Sequence, residues 1–112
     1  MKAEDVEQIK VVNWVKQCTT LPVIHVANER SCSPAQGSML KRMGVRKGVS
    51  DLFFPRAHGK YHGCFIELKT LKGKPSVEQI AFIDEMNVEG YFSLVCYGAE
   101  EAIETLQIFY NL

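Results

Sequence analysis

No lysine or arginine occurs after Lys74. Residues 1–74 hold all 13 basic side chains and 6 acidic ones, a net of +7, while residues 75–112 hold 7 acidic ones, a net of −7. The formal charge of zero therefore conceals two opposed segments. Such a split suits a local basic face for a polyanion, although solvated charge clustered by chance produces the same count. Cysteine is sparse: Cys18, Cys32, Cys64 and Cys96 form no CxxC pair, and three lie in apolar patterns where a thiol packs as a small hydrophobe. This disfavours a zinc ribbon and a disulfide framework. Long apolar runs are missing as well. The opening MKAEDVEQIK has no signal-peptide core, and no stretch approaches the roughly 20 apolar residues of a membrane span, so a soluble, intracellular protein is expected. Repeats, linkers and low-complexity tracts are absent. With 112 residues and 46% hydrophobic content, the expectation is a single domain over residues 1–112 that closes one core unaided.

Hydrophobic periodicity gives the elements. Glu4 to Cys18 repeats with helical spacing, placing Glu4, Gln8, Val11, Val15 and Cys18 on one face. LPVIHVAN reads as a strand with His25 as a hydrogen-bonded core residue, ERSCSPAQG as a loop, and SMLKRMG as a short basic helix ended by Gly44. VSDLFF and GCFIELKT are apolar, β-rich runs joined by PRAHGKYH, hence antiparallel neighbours. A helix capped by Ser76 and stopped by Gly90 follows, with Phe82, Ile83 and Met86 on its apolar face; then come the strand YFSLVCYG and a final amphipathic helix with an acidic first turn. The order α-β-α-β-β-α-β-α predicts a mixed sheet flanked by helices, an α/β layer architecture. Trp14, Phe53, Phe54 and Phe82 read as core, and nothing resembles an aromatic platform for stacking bases.

The chemistry centres on CFIELKT. Strand alternation points Phe65, Glu67 and Lys69 to one side and Ile66 and Leu68 to the other, setting the two charges about 7 Å apart. Asp51 precedes the neighbouring strand and converges on Glu67 if the register allows; a loop of this length leaves the register free. Two carboxylates confined together require a proton, a lysine or a cation, and a hard divalent ion such as Mg²⁺ suits them. A plain Glu67–Lys69 salt bridge is the competing reading of the triplet alone. His58 and His62 form an HxxxH spacing, but in a loop, where it reads as solvent- or DNA-facing more readily than as a metal site.

Several blocks in order resemble the VRR-NUC domains, a branch of the PD-(D/E)xK nucleases: Glu4 with Gln8 in the first helix, GVSDLFFP, GKYHGCFIELKT, SVEQIAFI and GYFSLVCYGAEEAI. Ser50 departs from the proline usual before the aspartate. The resemblance implies a restriction-endonuclease-like fold, Asp51, Glu67 and the main-chain carbonyl of Leu68 as ligands of Mg²⁺ or Mn²⁺, and Lys69 positioning or activating the attacking water. It further implies that Glu4 reaches the metal directly or through water, and that Gln79 supports the site. Glu7 remains the other acidic candidate, and Gln79 completes a capping box with Ser76 that explains it equally well. Arg30, Lys41, Arg42, Arg46, Lys47, Lys72 and Lys74 flank the site in sequence, as a phosphate-tracking surface requires. The function implied is a metal-dependent, structure-selective DNA endonuclease of a bacterial or phage-infected cytoplasm, acting as a homodimer on branched DNA such as four-way junctions. The rival is a non-catalytic nucleic-acid-binding module that keeps the fold.

Overall fold

Cys64, Ile66 and Leu68 alternate with charged or aromatic residues, and in the structure all three lie at or near zero exposure at the centre of a four-stranded sheet. The computed structural model describes residues 1–27 and 33–112. Its elements are α1 (Ala3–Cys18), β1 (Ile24–His25), α2 (Pro34–Arg42), β2 (Leu52–Phe54), β3 (Cys64–Lys69), α3 (Val77–Val88), β4 (Phe92–Tyr97) and α4 (Ala99–Tyr110). This is the expected order. The strands lie in sequence order β1-β2-β3-β4, antiparallel except for the β3–β4 pair, which is parallel and linked through α3.

The two faces of the sheet differ. Leu52, Phe54, Cys64, Ile66 and Leu68 form one core with Val11 and Val15 of α1 and Ala102, Leu106 and Tyr110 of α4. The opposite face meets α3: Phe65 stacks on Phe53 across the strand pair with centroids 4.4 Å apart, and turns its ring edge-on to Phe82 at 5.2 Å. Aromatic cross-strand pairs of this kind support a sheet beyond their buried area.

Side chains close the remaining ends. Tyr110 Oη donates to the carbonyl oxygens of Phe54 (3.3 Å) and Arg56 (2.9 Å), fastening α4 to the end of β2. Asn87 Nδ2 donates to the carbonyls of Ile83 and Ser93, and its Oδ1 accepts from Ser93 N–H, tying α3 to β4. Gly90 ends α3 at φ +98°, with Tyr91 N–H bonded to Met86 O and Gly90 N–H to Asn87 O, a Schellman closure that needs a left-handed residue there.

Several expectations change. Helix α2 begins at Pro34, four residues earlier than its apolar spacing suggests, because Ser33 accepts from Gln36 N–H while the Gln36 side chain accepts from Ser33 N–H. Strand β1 shrinks to two residues on the sheet edge, so His25 is exposed rather than core; its Nδ1 still bonds Asp51 O at 2.9 Å. Cys18 ends α1 exposed, and Phe53 is half-buried in its stack. Among the described residues no helix is long and apolar enough to cross a membrane.

Candidate active site

The register resolves what the loop length leaves free. Leu52 pairs with Ile66 and Phe53 with Phe65, so Asp51, one step before β2, stands opposite Glu67. Its carboxylate turns toward β3, and Oδ2 accepts the Leu68 N–H at 2.9 Å. That bond locks the Asp51 carboxylate against the backbone between Glu67 and Lys69.

Glu67 is 2% exposed, an expensive place for a carboxylate unless it is bonded. Gln79 Nε2 donates to its Oε2 at 3.2 Å, and Lys69 Nζ stands 3.8 Å from the same oxygen. Lys69 Nζ is also 3.9 Å from Glu4 Oε1, so the ammonium bridges a strand carboxylate and the first turn of α1. The structure thus brings Glu4, Asp51, Glu67, Leu68, Lys69 and Gln79 together at the end of β3.

Gln79 has two roles at once. Its Oε1 accepts from Ser76 N–H (2.8 Å) and its N–H donates to Ser76 Oγ (3.1 Å), so the capping box is present. Because the box consumes the amide oxygen, the Nε2 group is left to face Glu67. The cap therefore orients the contact to the carboxylate.

Glu7 takes a different position from Glu4. Its Oε1 accepts the Ala99 N–H at 3.0 Å and its Oε2 binds Lys10 at 2.9 Å. It closes the start of α4, whose own cap, Gly98, has no side chain to offer. The Ala99 amide and then Lys10 hold the Glu7 carboxyl below the usual carboxylate range. A helix-capping role across the fold leaves no local spacing in the sequence, and only Glu7's acidity singled it out. Gly48 carries no local signal either: at φ +91° it sits so close to α3 that a Cβ would come within 2.5 Å of the Glu78 backbone. This contact seats the loop leading to Asp51 on the first turn of α3.

The basic set divides. Lys41, Arg42, Lys47, Lys72 and Lys74 are exposed, as a phosphate contact requires, whereas Arg46 pairs with Glu85 and lies over the Phe82 ring at 5.3 Å. Arg30 lies outside the described residues, as does Cys32. The histidines of HxxxH separate: His58 packs edge-on to Phe109 and Tyr110, and His62 packs against Gly90 and Tyr91. Burial pushes the Cys96 thiol up to about 11 and the Cys64 thiol further, so neither offers a thiolate near neutrality. Among the described residues no three His, Cys, Asp or Glu side chains cluster as a metal cage. What is present is a carboxylate pair with a lysine on one strand face.

Residues 1–100 match the model of the VRR-NUC domain. The chain belongs to the VRR-NUC domain family. A solved structure described as a VRR_NUC domain protein superposes with a TM-score of 0.84 at 30% identity, covering 100% of this chain and 91% of that one. No curated protein matches the sequence significantly. VRR-NUC domains are in general nuclease domains, and the mixed sheet with its flanking helices agrees with a restriction-endonuclease-like fold.

Proposed function

We propose that this VRR-NUC protein is a Mg²⁺- or Mn²⁺-dependent, structure-selective DNA endonuclease, with the metal held by Asp51, Glu67 and the main-chain carbonyl of Leu68. The observation that carries the reading is the register that sets Asp51 opposite Glu67 with Lys69 on the same strand face. The donors are hard oxygens, the class Mg²⁺ and Mn²⁺ prefer, and two carboxylates leave the remaining positions to water and substrate phosphate. Three carboxyl side chains, Glu4, Asp51 and Glu67, stand against the single amine of Lys69, a formal excess of two acidic groups that suits a divalent cation.

When bound, the ion acts as a Lewis acid toward the scissile phosphate and lowers the pKa of its water. The chain's own residues do the positioning. Gln79 holds the Glu67 carboxylate in one orientation, and the Leu68 amide does the same for Asp51. Lys69, steadied between Glu67 and Glu4, donates to the attacking water or to a phosphate oxygen as negative charge builds there. Glu4 acts on the site through Lys69. Attack on phosphorus with departure of the 3′ oxygen leaves a 5′-phosphate. Lys41, Arg42, Lys47, Lys72 and Lys74 track the backbone, so recognition rests on charge and shape more than on sequence. A two-fold dimer would present two such sites for paired cuts on a four-way junction.

The test combines labelled four-way junction, flap and linear duplex with Mg²⁺, Mn²⁺ or EDTA. Cutting in either metal and none in EDTA is expected. Binding without cutting under every metal condition overturns the enzymatic reading in favour of a binding module, and cutting that survives both E67Q and K69A overturns the site. Light scattering checks the dimer, with a monomer mass on and off the junction counting against paired cuts.

A further inference from the structure

Immediately past Lys69 the chain turns sharply, with Gly73 N–H donating to Thr70 O at 2.9 Å. The turn folds back over the lysine: a Cβ on Gly73 would lie 3.5 Å from Lys69 Cδ. At its tip stands Leu71, 86% exposed, with the exposed Lys72 and Lys74 following. Leu71 and Lys72 line a groove of about 550 Å³ together with Ala3, Val6, Glu7 and Gly98. The groove borders the site, since Gly98 N–H bonds Lys69 O at 2.8 Å and Glu4 lies on the same first turns of α1 as Ala3 and Val6.

A single exposed leucine ordinarily needs no explanation. This one is placed two residues beyond the lysine of the site, on a hydrogen-bonded turn, next to a basic pair and on the wall of an apolar groove. We infer that Leu71 is a wedge that enters the base stack of bound DNA beside the scissile phosphate, and that the groove receives the base it displaces. The inference rests on the nuclease reading above. Apolar side chains inserted between base steps are a recurrent way to kink a duplex, at the cost of unstacking. The walls suit a base rather than backbone: they are largely apolar, and the Glu7 carboxylate, fixed on Ala99, repels phosphate. Lys72 and Lys74 then hold the phosphates that flank the opened step. Unstacking costs least where the stack is already broken, so the wedge favours branch points over continuous duplex without reading base edges.

The test places 2-aminopurine, a base whose fluorescence rises on unstacking, at each of the three nucleotides on either side of the branch of a four-way junction, and at matched sites of a linear duplex. The E67Q protein binds these DNAs in the presence of Mg²⁺. At one junction position its binding should raise fluorescence about threefold or more; adding L71A removes most of the rise, adding L71M restores it, and adding V88A, an exposed apolar control on α3, leaves it intact. In the otherwise wild-type protein, L71A lowers the junction-over-duplex cleavage ratio about tenfold and melts within about 2 °C of the parent. Fluorescence and cleavage ratio that ignore Leu71 in a protein that cuts DNA overturn the wedge alone. A protein that neither binds nor cuts any of these DNAs overturns the nuclease reading and the wedge with it.

Discussion

Strand β3 carries two different structures on its two faces. Toward α1 and α4 it presents Cys64, Ile66 and Leu68, all apolar and all at or near zero exposure. Toward α3 it presents Phe65, Glu67 and Lys69, where an aromatic stack gives way within one step to a carboxylate pair and an ammonium. The first face is satisfied by burial alone. The second buries Glu67 almost as deeply, yet holds it with the Gln79 amide and Lys69, beside a second carboxylate from across the ladder. Apolar burial and the proposed chemistry thus sit on alternate residues of one six-residue strand, and a one-residue slip in register would exchange them.

The separation is broken most sharply by substituting neighbours. E67Q keeps the shape of the side chain and removes its charge; on the proposed mechanism cleavage should fall by about 10³-fold or more, because the proposed metal ligand and the partner of Lys69 go together. Without metal its melting temperature should not fall, since the change relieves repulsion with Asp51 and Lys69 retains Glu4. Ile66→Ala should do the reverse. It removes a fully buried side chain and destabilises by about 2–5 kcal/mol, measured by urea denaturation, while cleavage per folded molecule changes little. An E67Q protein that unfolds as readily as I66A would mean that Glu67 is a structural residue.

Much of this was legible beforehand for a physical reason. Element order follows from periodicity, and β3 announces itself because charges at alternate positions of an apolar strand stand out. Asp51 is a candidate from its place before the neighbouring strand, and the family's motif blocks add roles for Glu4 and Gln79. Local spacing failed where the deciding contact is long-range. Glu7 caps a helix 92 positions away, and Gly48 touches the backbone of Glu78; neither partner can be found from its neighbours. His25 misled because β1 is a two-residue edge strand, where a β-branched run does not imply burial. Helix α2 begins earlier than its apolar spacing suggests because the residues of its capping box have the composition of a loop. The pairing of Asp51 with Glu67 required the register itself.

A finer division lies within α3, where Ser76 and Gln79 share one capping box but only Gln79 touches Glu67. S76A should cost about 1 kcal/mol of stability and leave cleavage close to wild type. Q79A loses the reciprocal cap and also frees the Glu67 carboxylate to rotate, so cleavage should drop about tenfold or more beyond any loss of folded protein. The pair of variants, compared by thermal melts and by rates normalised to folded fraction, separates helix starting from site support. Equal rates in the two would assign Gln79 to the cap alone.

The smallest expected effect sharpens the contrast between the two glutamates of α1. Glu4 faces Lys69, whereas Glu7 binds the Ala99 amide and Lys10, and its carboxyl lies below the usual value of 4.5. A depressed carboxyl favours the folded state above its unfolded pKa, and the contribution disappears as pH falls through the folded value. Melting temperatures of wild type and E7Q should therefore differ near neutrality and converge as pH drops from about 5 to about 3, since glutamine keeps an acceptor for Ala99 but has no charge to lose. E7A also removes the acceptor, so part of its deficit should persist at low pH. E4Q leaves the Ala99 contact untouched, and its effect should appear in cleavage instead, through the loosened Lys69. A gap between wild type and E7Q that stays constant from pH 7 to about 3 would mean that the Glu7 charge, as distinct from its hydrogen bond, contributes nothing to holding α4 against α1.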